Sequence, residues 1–140
     1  LRGMSLSPGT RVADRYRIER ALASGGMGEV LVAFDERLDE RVALKVTAAS
    51  GTHAGAVRAR FRREAVLANR LGRSPGVVRA RDWGEVGDGV RLFLVMDLVE
   101  EGRPLDLTAG TLVERLERLE RLAGVLAAVH RQGVVHRDVK

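Results

Sequence analysis

The chain has 140 residues, 45% hydrophobic and 31% charged, the make-up of an ordinary folded domain. It contains no cysteine, which excludes disulfides and thiolate metal sites, and no apolar run long enough to span a bilayer. The net charge is +5, but the arginines are interleaved with acids and aromatic residues make up only 4%, which argues against a nucleic-acid surface that stacks bases.

The opening residues Leu1-Arg2-Gly3-Met4 lead into polar sequence rather than a secretory signal, so a cytoplasmic setting is expected. Residues 1–11 read as a leader, broken at Ser7-Pro8-Gly9. Tyr16, Ile18 and Leu22 are set among polar residues and predict a first strand. A glycine-rich turn, Ala23-Ser24-Gly25-Gly26-Met27-Gly28, separates it from a second strand over Glu29 to Phe34. A polar link from Asp35 to Glu40 leads to a third strand, Arg41 to Thr47, and three strands with short links predict an antiparallel meander.

A small-residue stretch follows, then a helix from Ala56 to Leu71, stopped by Gly72 and Pro75. Val77 to Val86 and Val90 to Leu98 read as two further strands, and Leu92 to Met96 is apolar enough for a buried one. Glu100 to Pro104 is a hinge-like break. Thr111-Leu112-Val113-Glu114 is a capping box that opens a long helix to about Gln132, with Gly133 as its stop. His53, His130 and His136 lack metal-ligand spacing, and His130 falls near a helix C-terminus, where positive charge is favourable.

Three short stretches carry chemistry. Gly25, Gly26 and Gly28 lie between two strands, where peptide N–H groups can approach phosphate oxygens; an ordinary glycine hairpin is the alternative. The turn is neither a Walker A loop nor a dinucleotide-binding fingerprint, because a strand and not a helix follows it. Glu64 lies in the stripe Val57, Phe61, Ala65, Ala68, Leu71, and an inward carboxylate needs a cation. Lys45 on the third strand is the obvious one; a Glu at the stripe's edge reaching solvent is the alternative. The third stretch is His136-Arg137-Asp138-Val139-Lys140, where an Asp beside a Lys can accept a hydroxyl proton while the ammonium neutralises a transferring phosphoryl group. A polar loop at a helix end is the plainer reading. Lys45 and Lys140 are the only lysines among 24 basic residues, and both fall in such phrases. A slot built around one point charge admits the compact ammonium of Lys and rejects the planar fork of Arg.

In order and spacing these stretches resemble the N-terminal half of a eukaryotic-like serine/threonine protein kinase of the bacterial kind, over about residues 12–140. The residues that carry the resemblance are Ser24 to Val30, Val42-Ala43-Leu44-Lys45, Glu64, Leu94 to Val99, and His136 to Lys140. The resemblance implies an α+β fold: a kinase-like N-lobe over 12–98, with a five-stranded antiparallel sheet and one helix, then a hinge and the first long C-lobe helix over 99–140. It implies transfer of the ATP γ-phosphate to Ser or Thr of protein substrates, with Asp138 as base and Lys140 neutralising charge. Nucleotide binding would fall to Leu22, Ala23, Ser24, Gly25, Gly26, Met27, Gly28 and Val30, with Ala43, Lys45, Glu64, Met96, Asp97 and Val99. Within that set, Lys45 would hold the α/β-phosphates and pair with Glu64, Val30 and Ala43 would cover adenine, and Met96 would be the gatekeeper. The Asp97 and Val99 backbones would bond the base, and Arg137 resembles the arginine that reads activation-loop phosphorylation.

Three features depart from the family pattern. Ala23 replaces the first loop glycine. Arg103 to Gly110 is short for the helix that usually follows the hinge. The residues that would ligate Mg²⁺ lie past Lys140, so the expectation is a fragment inactive by itself. An exposed C-lobe helix is expected to drive self-association. A non-catalytic nucleotide-binding or interaction fragment is the alternative, and a small-molecule phosphotransferase a third, disfavoured by the wording of the Gly loop and the final pentad.

Overall fold

The structure, a computed structural model, describes residues 6–25, 28–87, 91–103 and 105–135. Among them, six strands and two helices follow the order β1 (Arg11–Val12), β2 (Tyr16–Gly25), β3 (Gly28–Asp35), β4 (Glu40–Ala48), α1 (Ala54–Leu71), β5 (Ala80–Val86), β6 (Arg91–Asp97), α2 (Leu112–His130). The strands form one sheet in the order β1-β2-β3-β4-β6-β5, each neighbour antiparallel. The expected meander is β2-β3-β4, and the five expected strands are all present. The sixth, β1, adds to the sheet edge: Arg11 pairs with Arg17, and Gly9 N–H donates to the Ile18 carbonyl at 2.8 Å. A two-residue strand is too short to show a period, so residues that read as leader run along β2 instead.

The two faces of the sheet have different neighbours. Tyr16, Ile18, Leu31, Ala33, Val42, Leu44, Val46, Phe93 and Val95 form one buried cluster. On the opposite face Leu92, Leu94 and Ala80 pack with Phe61 and Ala65 of α1. Among the described residues no helix lies over the first cluster, because the sheet curls onto itself. In the strand order β2 and β5 are four spacings apart, about 19 Å in a flat sheet at ~4.8 Å each. Yet the Tyr16 hydroxyl donates to Asp82 Oδ2 at 2.7 Å, and the Tyr16 and Phe93 ring centroids are 6.0 Å apart.

A charged network closes the curl. Asp35, at the end of β3, is 1% exposed, the only buried charged residue among those described. Arg15 donates to both its oxygens, from Nε at 2.8 Å and Nη2 at 2.7 Å. Arg37 N–H adds a bond at 3.0 Å and Leu38 N–H a longer one at 3.4 Å, shaping the turn into β4. Arg15 also lies 4.9 Å over the Tyr16 ring and 3.5 Å from Asp82. The Arg15 guanidinium holds the Asp35 carboxyl below its usual range, against the opposing effect of burial. Burial, then the bond to Asp82, pushes the Tyr16 hydroxyl up.

The helices follow their sequence signals, with shifted ends. α1 starts at Ala54 rather than Ala56. β5 starts at Ala80 rather than Val77, because Val77 N–H is used in a turn bond to the Ser74 carbonyl. The Thr111–Glu114 capping box forms in both directions, and α2 ends at His130, just before Gly133 at φ 75°. α2 touches the rest of the lobe near its C-terminus. Gln132 Nε2 donates to Ser74 Oγ at 2.8 Å, Arg70 donates to the Gln132 carbonyl at 2.7 Å, and Gly76 approaches Val125 so closely that a Cβ would lie 2.6 Å from it.

Asp35→Asn is expected to cost about 3 kcal/mol at pH 7, since it leaves Arg15 facing a neutral amide in a largely buried site. The folded Asp35 titrates lower than in the unfolded chain, so its contribution is complete above about pH 4 and is lost as the pH falls below that. Urea denaturation of both proteins at pH 7 and pH 3 should show a gap that narrows in acid.

Candidate nucleotide site

The register of β4 builds the site. Lys45 stands opposite Val30 on β3 and Leu94 on β6, and Ala43 opposite Val32 and Met96. Directly paired residues project to the same face of a sheet. Leu94 and Met96 belong to the cluster packed on α1, so Val30, Ala43 and Lys45 share that face. Ala43 is buried, and Val30, Lys45 and Met96 are half-buried. β4 thus sends Val42, Leu44 and Val46 into the curled core and Ala43 and Lys45 to the helix side.

Lys45 and Glu64 line one cavity of about 260 Å³ with Thr47, Val57, Arg60 and Phe61. The expected ion pair between them is not formed. Glu64 Oε1 instead accepts from Arg60 Nε at 2.8 Å, one turn earlier on α1, and its side chain is 51% exposed. The helix packs along Phe61 and Ala65, the residues it buries. Glu64 is about 80° round the wheel from their midline at 100° per residue, on the rim of the stripe rather than inside it. An exposed i,i+4 pair contributes only about 0.3–0.5 kcal/mol, so Arg60 holds Glu64 weakly.

At the open end of the sheet, Gly25 pairs with Gly28 to close the β2–β3 hairpin; Gly26 and Met27 lie outside the described residues. Ala23 is paired with Val30 and Ser24 with Glu29, while Leu22 is 44% exposed at an irregularity of β2. The two described loop glycines differ. Gly28 has φ 117°, and a Cβ there would run into the Val46 carbonyl of β4, whereas a Cβ at Gly25 would meet nothing. Only glycine satisfies both constraints at position 28. Gly28→Ala should therefore lower the melting temperature by several degrees, a loss of more than about 1 kcal/mol, and Gly25→Ala should barely move it. Thermal melts of the two variants followed by circular dichroism test the distinction.

At the other end, β6 runs out through Met96 and Asp97 into the linker. The Asp97 N–H donates to the Arg79 carbonyl at 2.9 Å, so a donor to a ligand has to come from farther along, where exposed Val99 lies. The Asp97 carboxylate is held by Arg81, which also reaches Glu40. The bond to Asp97 raises the Arg81 guanidinium's proton affinity against the opposing effect of burial. The linker forms no helix among its described residues. It turns on Asp106, whose Oδ1 accepts from Thr108 N–H at 2.7 Å, Thr108 Oγ1 at 2.7 Å and Ala109 N–H at 3.1 Å. Arg118 ties this turn to α2 through the Asp106 and Ala109 carbonyls, both at 2.8 Å.

Asp138 and Lys140, the expected base and charge-neutralising residue, lie outside the described residues with the rest of His136 to Lys140. The site residues that sequence reading missed are Arg60, which takes Glu64, and Arg81, which takes Asp97. Both stand among other arginines, and nothing in the local pattern distinguishes them.

The described residues thus form a curled antiparallel sheet with one packed helix, a linker and a second long helix. The protein kinase domain family matches residues 16–140. The serine/threonine-protein kinase PknA of Mycobacterium tuberculosis is 40% identical over 145 residues, covering 98% of this chain and 33% of that protein. The serine/threonine-protein kinase pkn2 of Myxococcus xanthus is 44% identical over 140 residues, covering 96% and 16%. The crystal structure of the M. tuberculosis PknI kinase domain superposes with a TM-score of 0.73 at 30% identity, over 97% of this chain and 55% of that one. The chain belongs to the protein kinase domain family. It spans a third or less of these two curated relatives and just over half of the solved kinase domain.

Proposed function

We propose that this chain forms the nucleotide-holding half of a serine/threonine protein kinase, a transferase that passes the γ-phosphate of ATP to Ser or Thr of protein substrates. The observation that carries the reading is the β4 register. It lays Ala43 and Lys45 beside Met96 and Val30 on one face, between a glycine-closed hairpin and a helix that offers a carboxylate. Adenine would lie against Val30 and Ala43 beside Met96, accepting a bond from the Val99 N–H and donating to the Asp97 carbonyl. The hairpin from Leu22 to Gly28 would cover the phosphates, with Gly25, Gly26 and the flanking Ser24 and Met27 offering peptide N–H groups. Lys45 would neutralise the α/β-phosphates, and Glu64 would leave Arg60 to orient it. That exchange keeps Glu64 paired and gives up only a weak exposed pair.

Asp138 would take the proton of the substrate hydroxyl, and Lys140 would stabilise charge on the transferring group. ATP would be the phosphate donor, and Mg²⁺ in the whole kinase would supply neutralisation of the charge that develops on transfer. Among the described residues no group of three or more His, Asp or Glu side chains is placed to hold a metal ion. No helix among them is long and apolar enough to cross a membrane, and a cytoplasmic setting fits the reading.

The chain itself should bind a fluorescent ATP analogue weakly and transfer no phosphate. Extended to the length of its relatives, it should phosphorylate a basic protein substrate, and Lys45→Arg and Asp138→Asn should each lower that rate by at least about a hundredfold. Asp138-dependent transfer of radiolabelled phosphate by the 140-residue chain would overturn the claim of inactivity. A fully active Lys45→Arg enzyme would overturn the role of Lys45.

An interaction role for the chain rests on a separate observation. Leu112, Val113, Leu116 and Leu119 of α2 are 63%, 64%, 55% and 42% exposed, more apolar surface on one helix than a lone folded unit leaves in water. In a whole kinase the larger lobe would cover it. Light scattering should find the chain self-associating, and a Leu116→Glu, Leu119→Glu double variant should be largely monomeric. A monodisperse monomer of the unaltered chain would count against this.

A further inference from the structure

β5 contains one irregularity. Its pairing with β6 runs Ala80 to Met96 and then Asp82 to Val95, so Arg81 is the extra residue of a β-bulge. A bulge bends its strand and re-aims a side chain. Here the guanidinium is carried to Asp97 at the end of β6, and on to Glu40 at the start of β4. β5 and β4 are not neighbours; β6 lies between them. One side chain therefore spans three strands, at the end of the sheet where the chain leaves for the linker.

Both residues it grips matter for the proposed site. Asp97 follows Met96, and its own N–H is already bonded to the Arg79 carbonyl at 2.9 Å. Residues 79 and 81, on either side of Ala80, thus hold Asp97 by backbone and by side chain. Glu40 opens the strand that carries Ala43 and Lys45. Ala43 and Met96 face each other across β4 and β6. A tie between the first residue of β4 and the last of β6 sets how far those strands can splay beside that pair. The tied residues are only partly exposed, with side chains 31% exposed for Arg81, 38% for Asp97 and 41% for Glu40. The planar fork of Arg can meet two carboxylates at once, and the single ammonium of Lys cannot do so with the same geometry.

We propose that Arg81 is a positioning residue for the purine: by clamping Asp97 and Glu40 together it fixes the Asp97 carbonyl and the width of the slot, and so sets the preference for adenine over guanine. The inference rests on the nucleotide-site reading above. An adenine presents its exocyclic amine as a donor to that carbonyl, and a guanine presents an oxygen there, so a fixed carbonyl favours the first and repels the second. A carbonyl free to turn away does neither.

The test titrates the protein with N-methylanthraniloyl-ATP and N-methylanthraniloyl-GTP, beside thermal melts. The variants are Arg81→Met, Arg81→Lys and Glu40→Gln. The unaltered protein should prefer the ATP analogue. Arg81→Met should weaken ATP binding about fivefold while GTP binding changes less than twofold, so that the preference collapses. Arg81→Lys should recover part of it, and Glu40→Gln should lose less than Arg81→Met. Equal weakening for both nucleotides, in step with a lower melting temperature, would mean a merely structural role and would overturn the proposal. So would unchanged selectivity in Arg81→Met. Binding of neither analogue by the unaltered protein would overturn the nucleotide-site reading itself, and the role of Arg81 with it.

Discussion

The closure of the sheet on itself is the constraint on which the remainder of the lobe depends. A six-stranded sheet with a helix on one face has an apolar second face to hide, and no other layer among the described residues covers it. The curl solves this by making that face its own partner, with Tyr16 meeting Phe93 and Asp82 across strands that do not pair. Hydrophobic burial drives the curl but does not fix where it stops. The directional contacts do: Arg15 on the Asp35 carboxylate and the Tyr16 hydroxyl on Asp82 are met at one geometry. Asp35 is affordable as a buried charge because the fork of Arg15 and two peptide N–H groups take up its oxygens.

With one face occupied by its own core, the other is free to carry α1 and the candidate site. The period of two along β4 makes the division, since alternate residues of one strand serve the two faces. Val42, Leu44 and Val46 stabilise the lobe while Ala43 and Lys45 face the space beside α1. A shift of one residue in this register would place a lysine in the core and a leucine in the site. Core packing therefore enforces the position of Lys45 on the helix side of the sheet.

The polar residues around the site are held with unequal strength. Glu64 sits in a weak, exposed pair on its own helix, with Lys45 in the same cavity. The hinge end is tied more firmly, with Asp97 anchored through both its backbone and its carboxylate. The candidate site thus has one firmly tied end and one loosely held carboxylate. The difference follows from architecture: the Asp97 end lies against paired strands, and Glu64 lies on the rim of a helix that touches the sheet along a narrow stripe.

Much of this was legible in the sequence because it is local. Alternation from Tyr16 onward, the glycine turn, the Thr111–Glu114 capping box and the apolar run at Leu92 to Met96 each express a short-range rule, and the strands and helices appear where those rules put them. The positions of Ala43 and Lys45 on one face also follow from period alone. Tertiary structure decided what depends on residues far apart in the chain. The curl joins Tyr16 to Asp82, Arg81 reaches Glu40 and Asp97 through a bulge, and Leu6 to Val12 find an edge to lie on. Glu64 shows the boundary most plainly. The helical wheel gives its angle relative to Phe61 and Ala65, but the direction in which α1 presses on the sheet is set by Leu92 and Leu94, some thirty residues later, and that direction left Glu64 at the rim beside Arg60.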